Sequence, residues 1–271
     1  IEWSEEERED IDLIIEVLYL HVKRSRLIRE TREYSFCNLI TMLPNSAGFV
    51  RIIQQRFQDH TIYQYNGFYF NLKSFGLLSY KYGGAEGDLM IKRYAVAVRK
   101  WLAKDETLAH LGGDNFMALV KKDRTADFLG LLENVEITAK YMGRIVPVYI
   151  AAAAGVYEVT EKDRDPRNIM NGLSIAVSYA RQHKLPYAFL TDKMQEETVV
   201  AQQMEQMLPE ALEKREFQVY YQPKVDIQTG KIVGTEALAR WIRDGEVVPP
   251  FRFIPIMEKN GFIIHLDLYI L

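Results

Sequence analysis

The stretch from residue 108 to 121 constrains the fold of this chain more than any other. Two apolar segments flank Leu111-Gly112-Gly113-Asp114-Asn115-Phe116. A glycine pair between strand-like segments reads as the turn of a β-hairpin, because glycine reaches the backbone angles of tight turns without steric cost. A hairpin this apolar requires a larger sheet with helices laid on it. The flanking sequence supplies candidates for both. Residues 61–72 predict an aromatic strand, and residues 48–59 and 89–103 predict helices, the latter strongly periodic. Residues 74–87 read as a glycine-punctuated helix and turn. Beyond the hairpin, the pattern predicts a helix over 123–142, a strand over 146–157, a helix over 168–183 and a short strand at 187–190. The expected class is α/β (α+β), with a central, palm-like antiparallel sheet flanked by helices.

Two further stretches frame this unit. Residues 4–34 are rich in Glu and Arg, and Ile11, Ile14, Ile15, Leu18 and Val22 recur at helical spacing, with Ser4 and Glu7 placed as a capping box. A long amphipathic helix is expected there, packed either on its own domain or against a second copy. Residues 191–217 are charged and Met-rich, and Pro209 is expected to divide them into two helical stretches linking two domains. A second hairpin follows, with strands at 219–225 and 232–239 joined at Thr229-Gly230.

Composition narrows the class of partner. The 271 residues carry 34 Lys and Arg against 37 Asp and Glu, a net charge of -3, so no basic field calls for nucleic acid or an anionic membrane. The single cysteine, Cys37, cannot close an intrachain disulfide. No apolar run approaches the roughly 20 residues of a membrane span. A cytoplasmic location is expected, and a membrane anchor upstream stays open. The start at Ile1, without a signal-peptide layout, suggests a segment of a longer polypeptide.

With these elements in place, the Gly112-Gly113-Asp114-Asn115-Phe116 turn resembles that of GGDEF diguanylate cyclase domains. Tyr221-Gln222-Pro223 followed by Thr235-Glu236-Ala237-Leu238-Ala239-Arg240-Trp241 resembles the opening of EAL cyclic di-GMP phosphodiesterase domains. The order is that of the GGDEF/EAL tandem. The resemblance implies an N-terminal signalling helix at 1–34, a GGDEF domain at 35–194, a helical connector at 195–216 and the start of an EAL (β/α) barrel at 217–271. Glu210-Ala211-Leu212 spells the same EAL triplet, but it falls in the connector, where Ala and Leu serve as helix formers.

A diguanylate cyclase holds two divalent cations on carboxylates, clamps a triphosphate and recognises guanine. Carried over position by position, the family's metal-binding aspartates fall on Asn71 and Lys73, and its phosphate-binding lysine falls on Gly76. The guanine-recognising pair falls on Ser79 and Tyr80, whereas the second guanine contact is kept as Asp88. In the turn, Asp114 is retained and the next acidic residue is Asn115. The Arg-x-x-Asp product-inhibition motif falls on Ala103 and Glu106, so the bidentate phosphate fork of arginine is absent. A triphosphate-contacting lysine falls on Arg181, and a second basic contact on Leu185. The resemblance therefore implies a degenerate domain without cyclase activity. Asp88, Gly112, Gly113, Asp114 and Arg181 are left as residual nucleotide-binding candidates, and weak GTP binding stays open. The bland readings also stand: the glycines serve the turn, and Asp88 caps the helix that begins at Leu89.

In the EAL segment the resemblance makes Glu236 a metal ligand and Gln222 and Arg240 substrate-binding residues. Mg2+ or Mn2+ would be the cofactor of the complete domain and cyclic di-GMP its substrate. Phe253-Ile254-Pro255 and Glu258-Lys259-Asn260-Gly261 match the family's next segment. A closed barrel takes about 250 residues, so this chain is expected to hold only the beginning of one. Two functions remain: a silent GGDEF half of a cyclic di-GMP phosphodiesterase, or a non-enzymatic nucleotide- or protein-binding adaptor with both domains degenerate.

Overall fold

The computed structural model describes residues 14–24 and 35–270, which fall into two compact units dividing between Thr191 and Asp192. In the first, a helix α1 (Ser46–Gln58) precedes a strand β1 (Tyr65–Leu72), two helices α2 (Phe75–Tyr82) and α3 (Gly84–Trp101), and the hairpin β2 (Thr107–Gly112) and β3 (Asn115–Lys121). Helix α4 (Thr125–Glu133), strands β4 (Val135–Tyr141), β5 (Arg144–Ile150) and β6 (Ala152–Glu158), helix α5 (Pro166–Gln182) and strand β7 (Tyr187–Phe189) complete it. Five strands form one sheet in the order β2-β3-β1-β6-β7, antiparallel except for the β6–β7 pair. The central antiparallel sheet expected from the sequence is present.

Strand alternation assigns the two faces of this sheet. Phe68, Phe70 and Leu72 of β1 join Phe116, Ala118 and Val120 of β3 in one core, closed by Met90, Tyr94 and Val98 of α3 and Phe128 of α4. On the opposite face, Tyr65, Met117 and Leu119 meet Phe49 and Ile53 of α1 and Ile169 and Leu173 of α5. Gly155 of β6 lets α5 approach this face, since a Cβ built there would lie 2.2 Å from the backbone nitrogen of Val177.

Several sequence expectations are corrected. The helix expected over 123–142 ends at Glu133, and Val135–Tyr141 is a strand paired along its length with β5. Its Val135, Ile137 and Ala139 are buried, while Glu136, Thr138 and Lys140 are exposed, a period of two that is incompatible with a helix face. The single strand expected over 146–157 is two strands, β5 and β6, separated at Ala151. The strand expected from residue 61 begins at Tyr65 after a 3-10 turn, Ile62–Gln64. Helix α3 starts at Gly84 rather than Leu89, so Asp88 lies inside it and caps nothing.

The second unit contains α6 (Asp192–Glu213), a three-stranded antiparallel sheet of β8 (Phe217–Val225), β9 (Ile232–Arg243) and β10 (Glu246–Val248), and helices α7 (Pro250–Asn260) and α8 (Ile263–Ile270). Its core gathers Leu208, Ala211, Phe217, Trp241, Phe253, Met257 and Leu266. Trp241 Nε1–H donates to Glu216 Oε2 at 2.8 Å. Helix α6 runs unbroken through Pro209, contrary to the expected interruption, with the buried Leu208 and Ala211 on either side of it. The sheet is open, and the described residues form no closed barrel.

Residues 14–24 are helical, and Ile14, Ile15, Leu18 and Val22 are each more than half exposed. Ile11 and the rest of the expected N-terminal helix lie outside the described residues.

Candidate functional site

The β2–β3 turn, the C-terminal end of β1 and one side chain of α5 converge at one end of the first unit. Gly112 and Gly113 adopt φ of 125° and 56°, so the turn does require glycine conformations. Asn71 pairs with Asn115 across β1 and β3, and the two side chains face the same way. Asn71 Nδ2 donates to Asn115 Oδ1 at 3.1 Å, and the Tyr69 hydroxyl donates to the same oxygen at 3.3 Å. Asn115 Nδ2 donates in turn to Asp114 Oδ1 at 3.1 Å and to the Gly112 carbonyl at 3.3 Å. Burial raises the Tyr69 phenol above its ordinary pKa; the charge of Arg181 opposes that rise and the charge of Asp114 adds to it. Asn71, Asn115, Asp114 and Arg181 therefore share one site with Tyr69.

This arrangement differs chemically from a metal centre. An amide both donates and accepts, so Asn71 bonds directly to Asn115 without an intervening cation, and Asp114 is the one carboxylate of the group. Among the described residues no group of three or more His, Cys, Asp and Glu side chains is disposed to hold a metal ion. The residues present do not fit a pair of divalent cations.

The other expected positions are dispersed. Lys73 is exposed, and its backbone N–H donates to the Ala151 carbonyl at 2.8 Å. Gly76 has open space beyond its Cα, and Tyr80 is 90% exposed. Ser79 and Gly87 form the contact between α2 and α3, where a Cβ on Gly87 would lie 2.4 Å from Ser79 Oγ. Asp88 is exposed on α3. Leu185 is partly exposed and carries no charge for a phosphate. Glu106, at the expected product-inhibition position, is fully buried. It accepts from the backbone of Ala103 at 2.8 Å and of Lys121 at 3.0 Å, and it pairs with Arg124. It braces the hairpin and is closed to a ligand.

Two residues were not singled out from the sequence. Tyr69 is one; its signal was its place two residues before Asn71, on the same strand face. His110 is the other. It is wholly buried and stacks on Phe116, with Nε2 3.0 Å from the Gly113 carbonyl and Nδ1 3.1 Å from Thr41 Oγ1. A carbonyl only accepts, so a neutral imidazole donates from Nε2 and accepts the Thr41 hydroxyl at Nδ1. Burial pushes this imidazole down from its ordinary pKa, partly offset by the bond to Gly113.

In the second unit, Gln222 of β8 lies directly opposite Glu236 of β9. Glu236 sits within β9 rather than at a strand end, because pairing continues to Trp241 opposite Phe217. Its carboxylate is half-exposed and lies 3.4 Å from Lys224 Nζ. Arg240 packs over the Tyr220 ring at 5.8 Å and donates to the Ala239 carbonyl. Glu210 is on α6, paired with Lys214 at 2.6 Å and with Arg243 at 3.8 Å, as expected of a helix-surface carboxylate.

Comparison with known proteins places these features. The family model described as diguanylate cyclase, GGDEF domain, matches residues 37–185, more than half of the chain, and that of the EAL domain matches residues 205–271. The chain is 28% identical over 255 residues to the bifunctional diguanylate cyclase/cyclic di-GMP phosphodiesterase MucR of Pseudomonas aeruginosa, covering 91% of this chain and 37% of that protein. It is 24% identical over 236 residues to the cyclic di-GMP phosphodiesterase PdeR of Escherichia coli, covering 86% and 36%. The chain thus spans little more than a third of the length of these two relatives. Among solved structures, the S helix-GGDEF-EAL portion of LapD from Vibrio cholerae, bound to c-di-GMP, superposes with a TM-score of 0.53 at 15% identity, covering 91% of this chain and 59% of that one. The coiled coil and GGDEF domain of DgcB from Caulobacter crescentus, in complex with c-di-GMP, gives 0.52 at 14% identity, covering 66% and 98%. At such identities these likenesses establish the fold alone.

Proposed function

The chain belongs to the diguanylate cyclase GGDEF family and carries that domain in tandem with an EAL segment, the arrangement of cyclic di-GMP signalling proteins, and from this premise we propose that its GGDEF domain is a catalytically silent regulatory element and that the full-length protein hydrolyses cyclic di-GMP through its EAL domain. On this reading residues 1–34 form a signalling helix, 35–194 the degenerate GGDEF domain, 195–216 the connector and 217–271 the N-terminal part of the EAL domain. The observation that carries silence is the Asn71–Asn115 amide pair. In-line phosphoryl transfer depends on cations that neutralise charge on the transferred group, and a pair of neutral amides in place of carboxylates offers such cations little hold. No catalytic step through a metal is assigned to this domain.

Asp114, Arg181 and the glycine turn support residual nucleotide binding without turnover. Binding of cyclic di-GMP is assigned to the complete EAL domain, with Gln222 and Arg240 toward the substrate and Glu236 toward Mg2+ or Mn2+. The exposed apolar stripe within residues 14–24 supports self-association through the N-terminal helix.

The test is conversion of GTP to cyclic di-GMP by the purified chain with Mg2+ or Mn2+. No product is expected. Turnover that is lost in Asp114→Ala overturns the reading, and a full-length protein with neither synthesis nor hydrolysis selects the adaptor function instead.

A further inference from the structure

A second feature lies at the other end of β1 from Asn71. Asn66 and Asn71 are five residues apart on this strand, about 17 Å at the rise of an extended chain. At the Asn66 end, a cavity of about 650 Å³ opens between α4 and the β6–β7 side of the sheet. That volume lies within the range of small-molecule sites. The catalytic reading above makes no use of it.

Three independent observations describe what this cavity would accept. The first is a buried polar group. Asn66 is 3% exposed and lines the cavity; its Nδ2 donates to Thr125 Oγ1 at 3.0 Å, yet its Oδ1 has no hydrogen-bond partner among the described residues. A buried acceptor left unmatched is destabilising, so this closed oxygen gains a donor if the Asn66 side chain turns toward the cavity. The second is charge. Glu133, Glu158 and Asp123 line the cavity against a single ammonium, Lys122, and Glu158 stands opposite Asn66 on the adjoining strand. The third is an apolar wall. Tyr187 and Phe189 meet edge to face with centroids 5.9 Å apart, and across from them Gly130 of α4 leaves open space where a side chain would project.

We propose that this cavity binds a small organic monocation with a flat apolar body, an arylalkylammonium in its simplest form. The ammonium faces the carboxylates and draws the Asn66 amide oxygen toward it by a small side-chain turn, and the ring lies along Tyr187 and Phe189. An anionic nucleotide is the wrong charge for this lining, which separates the site from the nucleotide chemistry of the glycine turn. The proposal therefore stands or falls independently of cyclase silence.

Phenethylammonium chloride is the probe, titrated calorimetrically into the chain, with 2-phenylethanol as its uncharged counterpart. Saturable binding of the cation, weakened about tenfold or more for the alcohol, is expected. Gly130→Leu, which fills the cavity, should abolish binding while leaving the thermal midpoint unchanged or raised. The pair Glu133→Gln and Glu158→Gln, both exposed and therefore tolerant positions, should erase the preference for the cation, and this readout holds even if the Leu variant folds poorly. Absence of saturable binding, equal binding of alcohol and cation, or a cation preference that survives the double Gln variant overturns the proposal.

Discussion

Asn115 occupies a position where one added carbon and a charge would restore the family's carboxylate, yet the surrounding residues are committed to the amide. Its Oδ1 accepts from Asn71 and Tyr69 and its Nδ2 donates to Asp114. Asn115→Glu removes that donor and sets a second negative charge beside Asp114, with Asn71 still neutral across the strand. No cyclase activity is expected from this variant in a radiolabelled GTP assay. Asn71→Ala, which deletes one hydrogen bond of the group, should lower stability by about 1 kcal/mol in urea titration. His110 makes a separate prediction. Its folded-state pKa lies below its unfolded value near 6.5, so the unfolded chain binds the proton more readily between the two values. Stability contributed by neutral His110 should be present above about pH 6.5 and fall as the pH drops toward the folded pKa. A thermal midpoint that declines from pH 7 to pH 5, with a shallower decline in His110→Gln, would verify this; identical profiles would refute it.

At the scale of elements, glycine positions separate close packing from free space. Gly155 meets the α5 backbone at Val177, and backbone cannot move aside as a side chain can, so Gly155→Ala should cost at least about 1–3 kcal/mol through overpacking. Gly130, inside α4 with open space around it, should instead gain up to about 1 kcal/mol on substitution by alanine from helix propensity alone. Opposite shifts in denaturant midpoint check both. The sequence disclosed elements whose side-chain pattern has one interpretation: the glycine hairpin, α3 and α5 with their helical periodicity, and the β8–β9 hairpin around Gly230. It misled where two patterns overlap. Residues 125–141 mix good helix formers with the alternating Val135, Ile137 and Ala139, and tertiary pairing with β5 decides for the strand. Pro209 signalled a break, but burial of Leu208 and Ala211 on both sides holds α6 continuous. The candidate site was legible as a set of substitutions, because Asn71 and Asn115 stand out once the strand and turn are placed. Tyr69 was signalled only by its place two residues before Asn71, and His110 and the Glu106–Arg124 pair not at all, since their roles arise from contacts between elements that no local pattern encodes.

At the scale of the whole molecule, the two EAL triplets provide the discriminating comparison. Glu210 and Glu236 have the same local sequence, Glu-Ala-Leu, in different structural settings. Glu210 lies on α6 and is engaged by Lys214 and Arg243, so its charge is already answered within the helix surface and the neighbouring strand. Glu236 lies on β9 facing Gln222 of β8, half-exposed, with Lys224 as its nearby cation at 3.4 Å. An exposed pair of this kind contributes about 0–1 kcal/mol, which a divalent cation held by further carboxylates readily displaces. If Glu236 holds the metal as proposed, Glu236→Ala should abolish cyclic di-GMP hydrolysis by the full-length protein, because its loss removes both metal affinity and the activated water. Glu210→Ala should leave turnover near the unsubstituted level. Lys224→Ala separates the two interactions of Glu236: if the ion pair only competes with the metal, this variant should need less Mg2+ for half-maximal rate. Wild-type turnover in Glu236→Ala at saturating Mg2+ would refute the metal-ligand role of Glu236, whereas absence of hydrolysis by the unsubstituted full-length protein would refute the phosphodiesterase assignment.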